Sequence, residues 1–158
     1  MKFIGLLMII TSGIIFGLNK YKETKKRVRF LEHYENLLKE INIGISYAFD
    51  DIYMIFAESE NPVAKKITEN NKSYEALDKV WKETAEYFFN NNEDVHFIGR
   101  FIDEFSKTDT ESSKVITDNY INKIHTKYMS AKESFEKKGK IYIIYSLFIS
   151  FAVAMLLI

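Results

Sequence analysis

Three histidines, two pairs of adjacent acids and a run of lysines and arginines are the side chains through which this chain could do chemistry. His33, His96 and His125 would be the metal ligands or proton carriers. A two-histidine metal site on a helix needs rings three or four residues apart on one face, and none of the three has such a neighbour. They read as surface or capping residues. Asp50-Asp51 and Glu93-Asp94 offer carboxylates for general acid-base work. Successive residues on a helix point about 100° apart, so neither pair makes a dyad by itself. Acids at a helix start, facing its positive end, account for them better. There is no cysteine, which removes thiolate nucleophiles, thiolate zinc sites and disulfides. The glycine patterns of phosphate-binding loops, dinucleotide folds and nucleophile elbows are also missing. Trp81 with Phe88 and Phe89 has the spacing of a packed core face, not of an aromatic binding surface. The expectation is an interaction protein, not an enzyme, with no cofactor and no bound metal.

What remains is electrostatic. The 158 residues hold 22 Lys+Arg and 22 Asp+Glu, so a general polyanion binder is excluded and no nucleic-acid partner is expected. The charges are unevenly placed. Only Lys2 falls within 1–18 and none within 141–158, so a polar middle lies between two apolar ends. The first end, FIGLLMIITSGIIFGL over 3–18, makes a helix of roughly 24 Å, short of a ~30 Å hydrocarbon core by an amount that local thinning can absorb. A cleaved signal peptide is the rival reading. No small-residue cleavage site follows the run, and Lys20, Lys22, Lys25, Lys26, Arg27 and Arg29 follow instead, which favours an uncleaved anchor. The last end, IYIIYSLFISFAVAMLLI over 141–158, is the stronger span and is preceded by Lys132, Lys137, Lys138 and Lys140.

Positive charge marks the cytoplasmic flank of a span, and both flanks agree. The organisation read from this is an N-terminal transmembrane helix over 1–19, a cytoplasmic helical domain over 20–140 and a C-terminal transmembrane helix over 141–158. Both termini would lie on the opposite side. The basic residues would fix topology and touch anionic lipid as well. Gly13 and Gly17 in the first span, and Ser146, Ser150 and Ala154 in the last, place small residues four apart, where another membrane helix can pack closely.

The middle reads as helices throughout. Phe30, Leu31, Tyr34, Leu37, Leu38, Ile41, Ile45 and Ala48 form one stripe on a helix continuing from the first span, with a bend or break near 44–51. Ile52, Ile55 and Phe56 resume it before Asn61-Pro62, and a short helix over 63–68 follows. Leu77, Val80, Trp81, Ala85, Phe88 and Phe89 make the next, after a turn at 70–73, and Phe97, Ile98, Phe101, Ile102 and Phe105 the one after. Val115, Tyr120, Ile121, Ile124, Tyr128, Ala131 and Phe135 line a last helix that runs on into the second span, a rod of about 72 Å if unbroken. The fold class is all-α, a bundle of five or six helices flanked by two membrane helices. Exposed polar positions around 58–66 and 103–111 are where partner contacts are expected.

In this order of features the chain resembles the stage III sporulation protein AB family, over essentially its whole length. The matching pieces are Met1-Lys2-Phe3-Ile4-Gly5-Leu6-Leu7 opening the anchor, and Leu37-x-x-x-Ile41 leading to Ile45-x-Tyr47. Glu93-Asp94 before an apolar helix and Ser106-x-Thr108-Asp109 before the last one complete them. Ser106 stands where the family pattern tends to glycine, and Asp50-Asp51 replaces a proline-containing turn. The resemblance implies a cytoplasmic domain similar to that of the type II secretion F platform protein. It also implies a scaffold role in the secretion-like channel between mother cell and forespore. The implied location is the mother-cell-derived membrane around the forespore, and the implied partners are other channel membrane proteins and a secretion-type ATPase, with homo-oligomerisation open. A two-span membrane regulator or sensor that binds a ligand or signalling protein is the alternative.

Overall fold

The computed structural model describes residues 2–45, 52–70, 77–89, 92–108 and 110–156. Among them every regular element is helical: α1 Lys2–Ile43, α2 Ile52–Glu58, α3 Pro62–Asn70, α4 Leu77–Phe88, α5 Asn92–Phe105 and α6 Thr110–Leu156. The chain divides into two compact units, one of Met1–Val28 with Met129–Ile158 and one of Arg29–Tyr128. The expected membrane segments are therefore not separate elements but the outer stretches of α1 and α6. Asp50 and Asp51, the turn at 71–73 and Asp109 lie outside the described residues.

By length and composition, one helix among the described residues is apolar enough to cross a membrane, over Glu111–Met155.

In the Arg29–Tyr128 unit the stripe on α1 is buried at Leu31, Tyr34, Leu37, Leu38, Ile41 and Ile45. Buried in the same unit are Phe56 of α2, Val63 and Ile67 of α3, Trp81 and Ala85 of α4, Ile98 and Phe101 of α5 and Ile124 of α6. Trp81 sits among the rings of Tyr34, Phe56 and Phe101, with centroids 5.4–5.9 Å away, and its Nε1–H donates to the Ile98 carbonyl at 2.7 Å. That bond satisfies the one polar atom of the indole and fixes α4 to α5. α5 also carries Gly99 against Lys82, where a Cβ would stand 3.3 Å from Lys82 Cγ. The stem of Lys82 lies along α5 and its ammonium reaches Asp103 at 2.9 Å.

Asn61 and Pro62 end one helix and begin another. α2 stops at Glu58, Asn61 Oδ1 accepts the Val63 N–H at 2.9 Å, and Pro62 opens α3, where an absent N–H costs nothing. Asn61 Nδ2 also donates to the His33 carbonyl at 2.8 Å, tying this cap to α1.

Val115 departs from the expected stripe of α6. It is exposed, and the inward positions there are Ser113, Thr117, Tyr120 and Ile124. Ser113 and Thr117 can be buried because each hydroxyl finds a partner: Thr117 Oγ1 donates to the Ser113 carbonyl at 2.7 Å, and the hydroxyls of Ser113 and Thr108 are 3.0 Å apart. A purely apolar pattern passes over such positions.

Two tyrosines are expected to make the unit sensitive to alkali. Burial pushes the Tyr34 phenol well above its ordinary range. Burial, with a hydrogen bond to Glu104, pushes Tyr120 up to about 12. Both phenols are held neutral in the folded state and ionise first in the unfolded one, so their contribution is intact below about pH 10 and is lost as pH rises toward 12. The urea midpoint is expected to fall between pH 9 and pH 11, and less so in Tyr34→Phe/Tyr120→Phe. An equal fall in parent and variant would show that these phenols are not its cause.

Candidate membrane-helix seam and basic collar

The two outer helix stretches form an antiparallel pair. Gly13 faces Ser150 and, one turn on, Gly17 faces Ser146, while Tyr21 lies by Phe135 with ring centroids 5.2 Å apart. As α1 advances, α6 retreats. The contacts leave no room for a side chain. A Cβ on Gly13 would stand 1.6 Å from Ser150 Oγ and 2.8 Å from its Cβ, and one on Gly17 would stand 2.1 Å from Ser146 Oγ and 3.1 Å from Ile143 Cα.

The serine hydroxyls are turned back onto their own helix. Ser146 Oγ donates to the Ile143 carbonyl at 3.0 Å and Ser150 Oγ to the Ser146 carbonyl at 2.7 Å, so neither leaves an unmet donor in the seam. Ala154 is buried as well. Away from the seam the pair is apolar and open, with Leu7, Met8 and Phe16 at 63–66% exposure and Tyr145, Phe148 and Ile149 at 63–65%.

The register places the basic residues of both helices at one end of the pair. Lys22, Lys25, Lys26 and Arg29 recur at the three- and four-residue spacing of a single helix face, and all are exposed. Lys137, Lys138 and Lys140 are exposed on α6. Lys20 and Lys137 are held by neighbouring carboxylates. Lys20 donates to Glu23 at 2.9 Å, and Lys137 pairs with Glu133; in each case the hydrogen bond to the carboxylate is the main cause of a lysine pKa above the usual value. The same bond holds the Glu133 carboxyl below its usual range. Gly139 is buried between the helices, where a Cβ would meet the Phe135 ring at 3.1 Å and the Tyr21 ring at 3.5 Å.

Of the residues weighed for catalysis, the three histidines lie on separate helices. His33 is on α1, His96 on α5 and His125 on α6. Desolvation is the main cause of the lowered pKa of His33. Among the described residues no three of His, Asp and Glu gather as a metal would require. Glu93 and Asp94 stand in the first turn of α5, and Lys127 bridges them at 2.7 and 3.4 Å, with Asp94 fully buried.

One cluster was not found by sequence reasoning. Glu35, only 5% exposed, accepts from Lys39 and lies 3.0 Å from His125 Nδ1. Lys39 could have been anticipated from its spacing of four, but no local signal announces a histidine ninety residues away. The surfaces expected to meet partners are exposed at Glu58, Glu60 and Lys65, and again at Glu104, Lys107 and Glu111. An open cleft of about 710 Å³ between α4 and α5 carries Lys82, His96 and Arg100 with Glu86 and Asp103, a mixture of signs that selects no single ligand.

A family model described as Stage III sporulation protein AB (spore_III_AB) matches residues 2–158. No curated protein and no solved structure matches the chain.

Proposed function

Since the chain belongs to the stage III sporulation protein AB family and so has a sporulation-related role, we propose that it is a non-enzymatic platform in the channel joining mother cell and forespore. In this reading both outer helix stretches cross the mother-cell-derived membrane around the forespore. Residues 20–140 lie in the mother-cell cytoplasm and both termini lie on the other side. The observation that carries the membrane part is the exposed apolar surface of the α1–α6 pair, with Phe16, Phe148 and Met155 more than 60% exposed beside a tightly closed seam. Such a surface suits lipid or another membrane helix and is poorly suited to water.

The platform part rests on family membership and on the dispersion of the reactive side chains. The histidines lie on separate helices, and the adjacent acids of α5 are held by Lys127, which favours a scaffold that positions partners over a catalyst. The partners are other membrane proteins of the channel and its secretion-type ATPase, reached through exposed polar helix faces.

Co-purification of the tagged full-length chain from sporulating cells tests this directly. The ATPase and other channel proteins are expected among the retained proteins, and to be lost from a control extract of vegetative cells. If a complex demonstrably stable to extraction contained none of them, the platform reading would fall and the ligand-binding regulator would take its place.

A further inference from the structure

We infer that the exposed lysines at the polar end of the α1–α6 pair form a binding site for anionic phospholipid headgroups. The inference rests on the membrane reading above and adds a ligand class to it. The neutral total of the chain conceals a division of charge. Residues 19–28 and 129–140 together carry nine Lys+Arg against three Asp+Glu, whereas residues 29–128 carry twelve against nineteen. The two basic stretches are a hundred residues apart in sequence. The antiparallel seam and the contact of Tyr21 with Phe135 bring them to one end of the same unit.

The structure also sorts these cations. Lys20 and Lys137 are engaged by Glu23 and Glu133. Lys22 and Lys25 on α1, and Lys138 and Lys140 on α6, are exposed and hold no ion pair among the described residues. Four ammonium groups, two from each helix, thus remain for an external anion. They border the apolar stretches 3–18 and 141–158, at the level where lipid phosphates lie if those stretches enter a bilayer. Lysine binds phosphate as a point charge without fixed geometry, which suits a fluid layer of headgroups better than a single shaped ligand. Tyr142, half-exposed next to Lys140, and Tyr21 add the amphipathic rings common at that depth.

The test uses the full-length protein in nanodiscs containing equal phosphatidylglycerol and phosphatidylcholine, released for native mass spectrometry so that retained lipids are counted. Phosphatidylglycerol is expected to be favoured by about tenfold or more, in keeping with the attraction of several lysines to an anionic surface. The preference should shrink when salt is raised from about 0.05 to 0.5 M. Lys22→Gln/Lys25→Gln/Lys138→Gln/Lys140→Gln should bring the ratio close to one, while arginine at the same four positions should keep it. Removing four exposed charges of the other unit, with Lys65→Gln/Lys79→Gln/Lys107→Gln/Lys114→Gln, should leave it unchanged. Equal retention of the two lipids by the parent, or an undiminished preference in the first glutamine variant, would overturn the proposal alone. Failure of the parent to enter the bilayer would overturn the membrane reading, and the proposal with it.

Discussion

Trp81→Ala is expected to destabilise the Arg29–Tyr128 unit by about 3–5 kcal/mol, the usual range for truncating a large aromatic side chain in a core. Trp81 is fully buried, and its indole is the shared neighbour of Tyr34, Phe56 and Phe101 from three other helices. Its removal opens a cavity where those rings meet and also takes away the indole hydrogen bond to the Ile98 carbonyl, which links α4 to α5. A loss of this size is a large part of the ~5–15 kcal/mol that holds a domain together. Trp81→Phe keeps an aromatic ring in the site but loses the hydrogen bond, so a smaller loss of about 1–3 kcal/mol is expected. The thermal midpoint of the full-length chain, followed by circular dichroism in detergent, separates the two variants. An alanine variant melting within a few degrees of the parent would mean that the aromatic cluster does not hold the unit together.

The same residue shows what the sequence makes legible. Trp81 belongs to a face that recurs at three- and four-residue spacing, and a helix buries such a face whatever its partner is. The stripes of α1, α4 and α5 could be read for that reason, as could the boundary at Asn61-Pro62, whose chemistry is local. What depends on pairing across the chain could not. Asp94 was legible as a helix-start acid, but its complete burial depends on Lys127 arriving from α6. The contact of Glu35 with His125 depends likewise on the packing of α1 against α6 within the unit. Val115 was misplaced because apolarity was taken as the only ticket to the interior, whereas Ser113 and Thr117 enter by satisfying their own hydroxyls. In the outer helices the small residues were visible in the sequence. Which of them meet is a matter of register, and the contacts of Gly13 with Ser150 and Gly17 with Ser146 settle it.

That register leads to the second large effect: Gly13→Ile/Gly17→Ile is expected to separate the two outer helices. In lipid, apolar surface gains little by leaving its surroundings, so close packing of small residues does much of the work of holding helices together. The Gly13 site cannot adapt by rotating a hydroxyl. Turning Ser150 Oγ aside would break its bond to the Ser146 carbonyl and still leave Ser150 Cβ 2.8 Å from the new Cβ. Gly17 is confined by the Ile143 backbone at 3.1 Å, which only movement of the whole helix can relieve. Because the chain has no cysteine, one pair replacing Tyr21 and Phe135 reports on the seam through a short bis-maleimide link. The linked fraction is expected to fall by about tenfold or more in the double isoleucine variant, a change that needs only ~1.4 kcal/mol of lost packing. A size swap then separates steric fit from general damage. Gly13→Ala alone should weaken the link, and adding Ser150→Gly should restore it, because the new methyl group then occupies the space the serine gave up. Full linking in the isoleucine variant would place the seam elsewhere, and failure of the swap to restore linking would mean that Gly13 acts through something other than its contact with Ser150.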